Sequence, residues 1–231
     1  MAPPGYAPVA PPGYAPMAQG YAPITVPPAV PSSIALWATI LTGAYAATSV
    51  LGAVTAPAMV EGLKERLIDP QNASPFAGQS IGSSLGVPVS IASYVLLALW
   101  MSKIRTARKA RGEKIGGPPA VEWWGWFVPL ASIVLPFLGM RAITKARVGM
   151  GVLLGWWLAY MAAGAVSIAA LIPQLTTIDW STGKAAHPEA LDEAFRSVPG
   201  LMWASAIAMV VSWIFLAIII QSATRREAEA S

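Results

Sequence analysis

Residues 103–147 read KIRTARKARGEKIGGPPAVEWWGWFVPLASIVLPFLGMRAITKAR, two basic clusters (103–114 and 141–147) enclosing a Trp- and Pro-rich apolar run. Lys and Arg gather on the cytoplasmic side of membrane proteins, so both ends of this run are expected on one side. The run itself, 121–140, is long enough to cross a bilayer, and charge counting decides whether it does. If it dips and returns, the cytoplasm receives Lys103, Arg105, Arg108, Lys109, Arg111, Lys114, Arg141, Lys145, Arg147, Arg225 and Arg226. The far side then keeps only Lys64, Arg66, Lys184 and Arg196. If it crosses, the split falls to eight against seven. The eleven-to-four division fits the positive-inside bias better. Pro129 and Pro136 point the same way, because each removes a backbone donor and kinks or ends a helix. Non-helical backbone at membrane depth must be covered by protein, so the neighbouring spans are expected to pack over a re-entrant hairpin; a shallow interfacial helix is the alternative.

Around this hairpin the composition is that of a membrane protein. The 231 residues are 55% hydrophobic and only 11% charged, against about 25% charged in soluble domains. A helix of ~20 apolar residues spans a ~30 Å hydrocarbon core. Four stretches without charged side chains qualify, at about 34–60, 84–102, 148–172 and 200–221. The expected fold is therefore an all-α integral membrane protein, with four transmembrane helices plus the Trp/Pro-rich hairpin. Its membrane domain is 34–222, followed by a short cytoplasmic tail, 223–231. The first Lys is Lys64 and the first apolar stretch is long, which reads as a retained span rather than a cleaved signal. Both termini are expected in the cytoplasm, and the compartment is the cell membrane.

Residues 1–33 repeat PPGYAPVA, PPGYAPMA and QGYAPITV before VPPAVPSS. Proline and glycine in this density build no core, so the segment reads as an extended, solvated tail. Ser32 or Ser33 is expected to cap the helix starting at Ile34. That helix should run past the membrane through Glu61 to Ile68. The second span should continue as one helix into the basic segment until Gly112. A short helix from Pro188 should place Leu191, Ala194, Phe195 and Val198 on one face.

The basic side chains Lys103, Arg105, Arg108, Lys109, Arg111, Lys114, Arg141, Lys145 and Arg147 are assigned to anionic lipid headgroups, each worth roughly 1 kcal/mol near the surface. Trp123, Trp124, Trp126 and Phe127 read as interfacial anchors. Gly151, Gly155, Ala159 and Ala163 recur every four residues and read as a close-packing stripe. Gly43 with Ala47, and Ala204, Ala208 and Ser212, repeat the device. Such stripes serve the bundle itself or a seam with a second copy or another membrane protein. The chain is basic, with net charge +4, but the charge sits beside spans rather than along a soluble face, so lipid is the expected partner and nucleic acid is not.

The central residues also carry a resemblance. An Arg-rich helix end after Trp100, then WGWFVP, a second proline seven positions beyond Pro129, an aromatic after it and MRAITKA resemble the bacterial membrane-protein family called domain of unknown function 4328. The match is specific over about 99–146 and loose over 34–222. Where that family tends to place Asn and Tyr around the second proline, this chain has Ser132 and Phe137. The resemblance implies a multi-span membrane protein of unassigned activity.

Chemistry is sparse. Cysteine is absent, which excludes disulfides and thiol nucleophiles. Gly78-Gln79-Ser80-Ile81-Gly82 matches G-x-S-x-G, and the single histidine, His187, lies in another loop near Asp179 and Asp192. The motif needs a strand running into a sharp turn before a helix, and nothing before Gly78 reads as a strand. One His without Cys does not make the usual nitrogen and sulfur metal set, so Glu189, Asp192 and Glu193 read as a solvated helix face. No cofactor is expected. The spans hold only hydroxyls such as Thr42, Thr48, Thr55, Ser90, Ser93 and Ser167, which commonly bond back to helix carbonyls. The expectation is a non-catalytic, partner-binding or membrane-organising protein. A channel or transporter subunit using the hairpin is the alternative, and a serine hydrolase the remote one.

Overall fold

The computed structural model describes residues 31–74, 78, 81–117, 120–126, 131–144 and 147–230. Helices dominate: α1 (Ser32–Ile68), α2 (Ile81–Ala110), α3 (Val121–Trp124), α4 (Ala131–Thr144), α5 (Met150–Thr177), α6 (Leu191–Phe195) and α7 (Val198–Glu229). The only described strands are β1 (Ile178–Asp179) and β2 (Lys184–Ala185), an antiparallel pair closed at Gly183, whose φ is +70°. Four helices are long and apolar enough to cross a membrane. The protein is an all-α, multi-pass integral membrane protein.

The expected helix limits hold with local corrections. α1 runs to Ile68, about 55 Å at ~1.5 Å per residue, so it overshoots a bilayer. It starts at Ser32 with Pro31 at its cap and no side-chain cap bond; the amide of Ile34 instead donates to the Pro31 carbonyl at 3.1 Å. The serines therefore lie within the first turn rather than capping it. α2 continues through the basic segment and stops before Gly112, whose φ of +78° reverses the chain. Pro136 does not end α4, which continues through it to Thr144.

α2 packs on α1, α1 on α7, and α7 on α5, in an antiparallel arc. The inward face of α1 is almost wholly small: Ala35, Ala38, Thr42, Ala46, Gly52, Ala53 and Ala56 are buried, while Leu36, Trp37, Ile40 and Val54 point out. Lipid tails are as apolar as leucine, so helices in a bilayer gain by close backbone approach rather than by hiding large side chains. This register differs from the expected stripes: Ala47 and Ala204 face outward, and the partners of Gly43 and Ser212 are Trp213 and the Trp156 carbonyl. On α5, Gly155 lets the Phe215 ring approach to contact distance and Ala163 is fully buried. Ala159 is half-buried, and Gly151 is exposed with open space beside it.

Two cores bracket the bundle. At the basic end Leu97, Trp100, Met101, Ile104, Met140, Ile143, Leu153, Trp156, Ile219 and Ile220 form one cluster. At the opposite, loop end, Val60 and Leu67 of α1 pack on Leu191, Phe195 and Val198, with Ala194 alongside, on the face expected for the short helix. That helix begins as a 3-10 turn at Pro188–Ala190. Lys64 Nζ reaches Asp192 at 2.7 Å and Glu61 at 2.9 Å, tying α1 to this cap. These bonds, chiefly that to Asp192, raise the Lys64 pKa.

Candidate binding crevice and hairpin

α3 and α4 form the expected hairpin between α2 and α5. A Cβ on Gly139 would lie 3.2 Å from Val121, and one on Gly125 would lie 3.2 Å from Leu135, so the two limbs run antiparallel and both open at the basic end. The chain thus leaves the basic end of the bundle and returns to it. The reason is local: Gly125 and Gly139 remove the side chains that would hold the limbs apart.

Near the hairpin tip, Trp126 lies against the spans. Its ring stacks on Tyr94 at 5.2 Å and meets Tyr160 and Trp156 edge-on at 6.2 and 6.3 Å. Tyr94 lies nine residues before Lys103, about 14 Å along α2 at ~1.5 Å per residue, so the dip reaches well into the bundle. The Tyr94 and Tyr160 hydroxyls share a hydrogen bond at 3.1 Å, bridging α2 to α5. Tyr45 of α1 completes the group, 6.3 Å from Tyr94. A small void of about 40 Å³ lies among these rings, and Trp126 Nε1 is buried without an acceptor among the described residues.

Toward the loop end, sharing Tyr45 with this group, lies a crevice of about 540 Å³. Its walls are Tyr45, Thr48, Ser49, Gly52 and Met59 from α1; Gly82, Gly86, Val87 and Ser90 from α2; Ser167, Ala170, Leu171 and Gln174 from α5; and Val198, Met202, Ser205 and Ala206 from α7, with Gly78 at the rim. Among the described residues no Asp, Glu, Lys, Arg or His lines it. Its size lies within the ~300–1,000 Å³ of small-molecule sites. Glycine makes the space: Gly82 seats against the backbone of Gly52, where a Cβ would come within 2.6 Å, while Gly86 faces open room. Most wall hydroxyls are already engaged. Thr48 and Ser49 donate to the Tyr45 carbonyl, Ser90 to that of Val87 and Ser205 to that of Ala163, while Ser167 bonds Ser205 at 2.8 Å.

The basic end is closed by ion pairs rather than opened to headgroups at every arginine. Arg105 and Arg108 are buried on the inward face of α2. Arg105 lies 3.3 Å from the buried Glu122 of α3. Arg108 donates to Glu113 at 2.6 and 2.9 Å and to the carbonyls of Ala142 and Ile143, holding the end of α4. Arg111 and Arg147 both bind Glu113 and the buried Glu227 of α7. Arginine pairing, led by the Arg108 bond, holds the Glu113 carboxyl below its usual pKa, and burial, aided by repulsion from Arg108, lowers that of Arg147.

Of the residues assigned to headgroups, Lys103, Lys109, Lys114 and Arg141 face outward, Arg105, Arg108, Arg111 and Arg147 turn into these pairs, and Lys145 lies outside the described residues. The physical reason is that a helix crossing the interface has two faces, and its buried face cannot leave an arginine unpaired. Trp123 and Trp124 are exposed as anchors would be, whereas Trp126 is drawn into the bundle. Phe127, Pro129 and the tail 1–30 lie outside the described residues. So does Ser80 of the G-x-S-x-G match. His187 is exposed, 3.3 Å from Glu189. Among the described residues no group of His, Asp and Glu could hold a metal.

The sequence reading passed over Tyr45, Tyr94 and Tyr160, although a polar-tipped ring in an otherwise apolar span was a signal. It also passed over Glu122, a lone acid inside the apolar hairpin. No protein-family model, curated protein or solved structure matches the chain.

Proposed function

We propose that this is a non-catalytic, membrane-embedded binding protein whose crevice holds an uncharged guest, with the basic end in the cytoplasm and the crevice in the opposite half of the membrane. The observation that carries the reading is the crevice itself: about 540 Å³ of space without an acidic, basic or histidine wall residue among the described residues, reaching Tyr45 of the aromatic group at its inner end. Among the described wall residues no hydroxyl lies beside an acid, a lysine or a histidine that could serve as its base, which supports binding rather than turnover. The outward Lys103, Lys109, Lys114 and Arg141, with Trp123 and Trp124, seat the basic end among anionic headgroups. The likeness of 99–146 to the domain of unknown function 4328 proteins belongs to the same proposal and rests on the Trp-Pro hairpin.

Mass spectrometry of the intact protein from mild detergent tests the reading. The wild type should carry one non-covalent guest. Gly86→Phe should lose it, since a Cβ there meets only Thr48 Oγ1 at 3.9 Å on a wall of the crevice, leaving the added side chain to occupy the guest's space. A wild type without any guest would sink the proposal.

A second reading, a gated path for a small neutral solute, draws on Trp126, which lines the small void that shares Tyr45 with the crevice. Trp126→Ala in proteoliposomes should then raise glycerol flux; unchanged flux removes this reading and leaves the first.

A further inference from the structure

We infer that the crevice is a side port for one hydrocarbon chain of a bilayer lipid, drawn from the leaflet at the loop end; this rests on the reading that the crevice holds an uncharged guest. Three observations lead there.

First, the opening faces sideways. α2 and α5 are the two ends of the helical arc, and α3 and α4 lie between them toward the basic end, where Trp126 meets the hydrogen-bonded Tyr94 and Tyr160. Above that bond the rims carry Val87 and Ile91 on one side and Ile168 and Leu171 on the other, all exposed. A guest passing between such rims comes from hydrocarbon, since exposed apolar patches of this kind are stable only in an apolar medium.

Second, the walls are chemically drier than their composition. The hydroxyls of Thr48, Ser49, Ser90 and Ser205 spend their donors on helix carbonyls. With those hydrogens already committed, an anion or carbonyl entering here would lose its hydration with few donors to replace it, at a cost of several kcal/mol per group. A methylene chain loses nothing comparable, so the wall favours an apolar guest over anions and carbonyl-rich solutes.

Third, the shape is that of a chain seat rather than of a headgroup site. Gly86 leaves the α2 wall open, Tyr45 marks the inner end of the cavity, and Gln174 supplies an amide near the loop end where the polar part of a lipid would lie.

The test reconstitutes the full chain into phosphatidylcholine vesicles doped with phosphatidylcholine that carries a diazirine at the terminus of one acyl chain. After irradiation, adducts are mapped by peptide mass spectrometry. The expected result is labelling concentrated on 86–90, 167–171 and 202–206. It should fall by about tenfold in Gly86→Phe, equivalent to ~1.4 kcal/mol of lost binding. Val87→Trp, on the exposed rim where folding is not at stake, should lower the same adducts by narrowing the opening. Labelling spread over the outward faces of the helices and unchanged in both variants would overturn the inference. If the intact protein retains a guest that Gly86→Phe abolishes but no crevice adduct forms, the guest is not a lipid chain: this inference falls and the binding reading stands. If neither guest nor adduct is found, both fall.

Discussion

Replacing Glu227 should measurably loosen the basic end of the bundle. Its side chain is about 1% exposed and binds both Arg111 and Arg147, which also share Glu113. Three arginines, Arg108, Arg111 and Arg147, thus face two carboxylates. Glu227→Ala leaves three against one. Removing one partner of a fully buried pair costs about 3–5 kcal/mol. Here the arginine side chains are 16% and 22% exposed and keep Glu113 at 3.2 and 3.4 Å, so the loss should be smaller, about 2–3 kcal/mol. For a chain of this size that corresponds to a fall of about 5–10 °C in Tm. The assay is thermal unfolding in one detergent, followed by tryptophan fluorescence, with Glu229→Ala as reference. Glu229 pairs with Arg225 at 3.1 Å, but both side chains are more than half exposed, and such pairs are worth at most about 1 kcal/mol. On the Glu227→Ala background, Arg147→Ala should cost less than in the wild type, because it then removes a cation left short of partners. If Glu227→Ala and Glu229→Ala unfold at the same temperature, the buried network is not what holds α7.

Other outcomes follow from the same geometry. Gly155→Leu should destabilise by about 1–3 kcal/mol because even its Cβ would fall 2.8 Å from the Phe215 ring, an overpacking cost that Phe215→Ala should partly relieve. Gly151→Ala, with open space beside it, should stay within about 0.5 kcal/mol by the same unfolding assay. Acid should weaken the basic end. The Glu113 pKa is lowered in the folded state, mainly by its bond to Arg108, so its contribution is complete above the unfolded value of about 4.3 and is lost as pH falls through the folded one. Glu113→Gln should therefore flatten the loss of Tm below about pH 4.5 relative to wild type. A cysteine at Ala110 should resist an impermeant maleimide in intact cells while one at Lys184 reacts; the opposite pattern would invert the assigned sidedness.

Much of the architecture is legible without coordinates because it follows from solvation, which acts on each segment separately. A span must be apolar over its length, a dipping segment must be short-limbed and proline-bearing, and lysines and arginines must lie outside the hydrocarbon. Hence the four spans, the return of 121–140 and the face shared by Leu191, Phe195 and Val198 could be read from residue types and spacing. The crevice could not. It exists because Gly82, Gly86 and Ser90 stand opposite Ser167 and Gln174 across a gap that α3 and α4 fill only halfway, and spacing along the chain carries no record of that gap. The arginines were likewise misleading as a single class. Arg105 finds Glu122 and Arg111 finds Glu227, 116 positions away, while Lys103 and Lys109 on the same helix face outward. Which side of a helix turns inward is decided by packing against the others, and a charge is bound or free according to that choice alone.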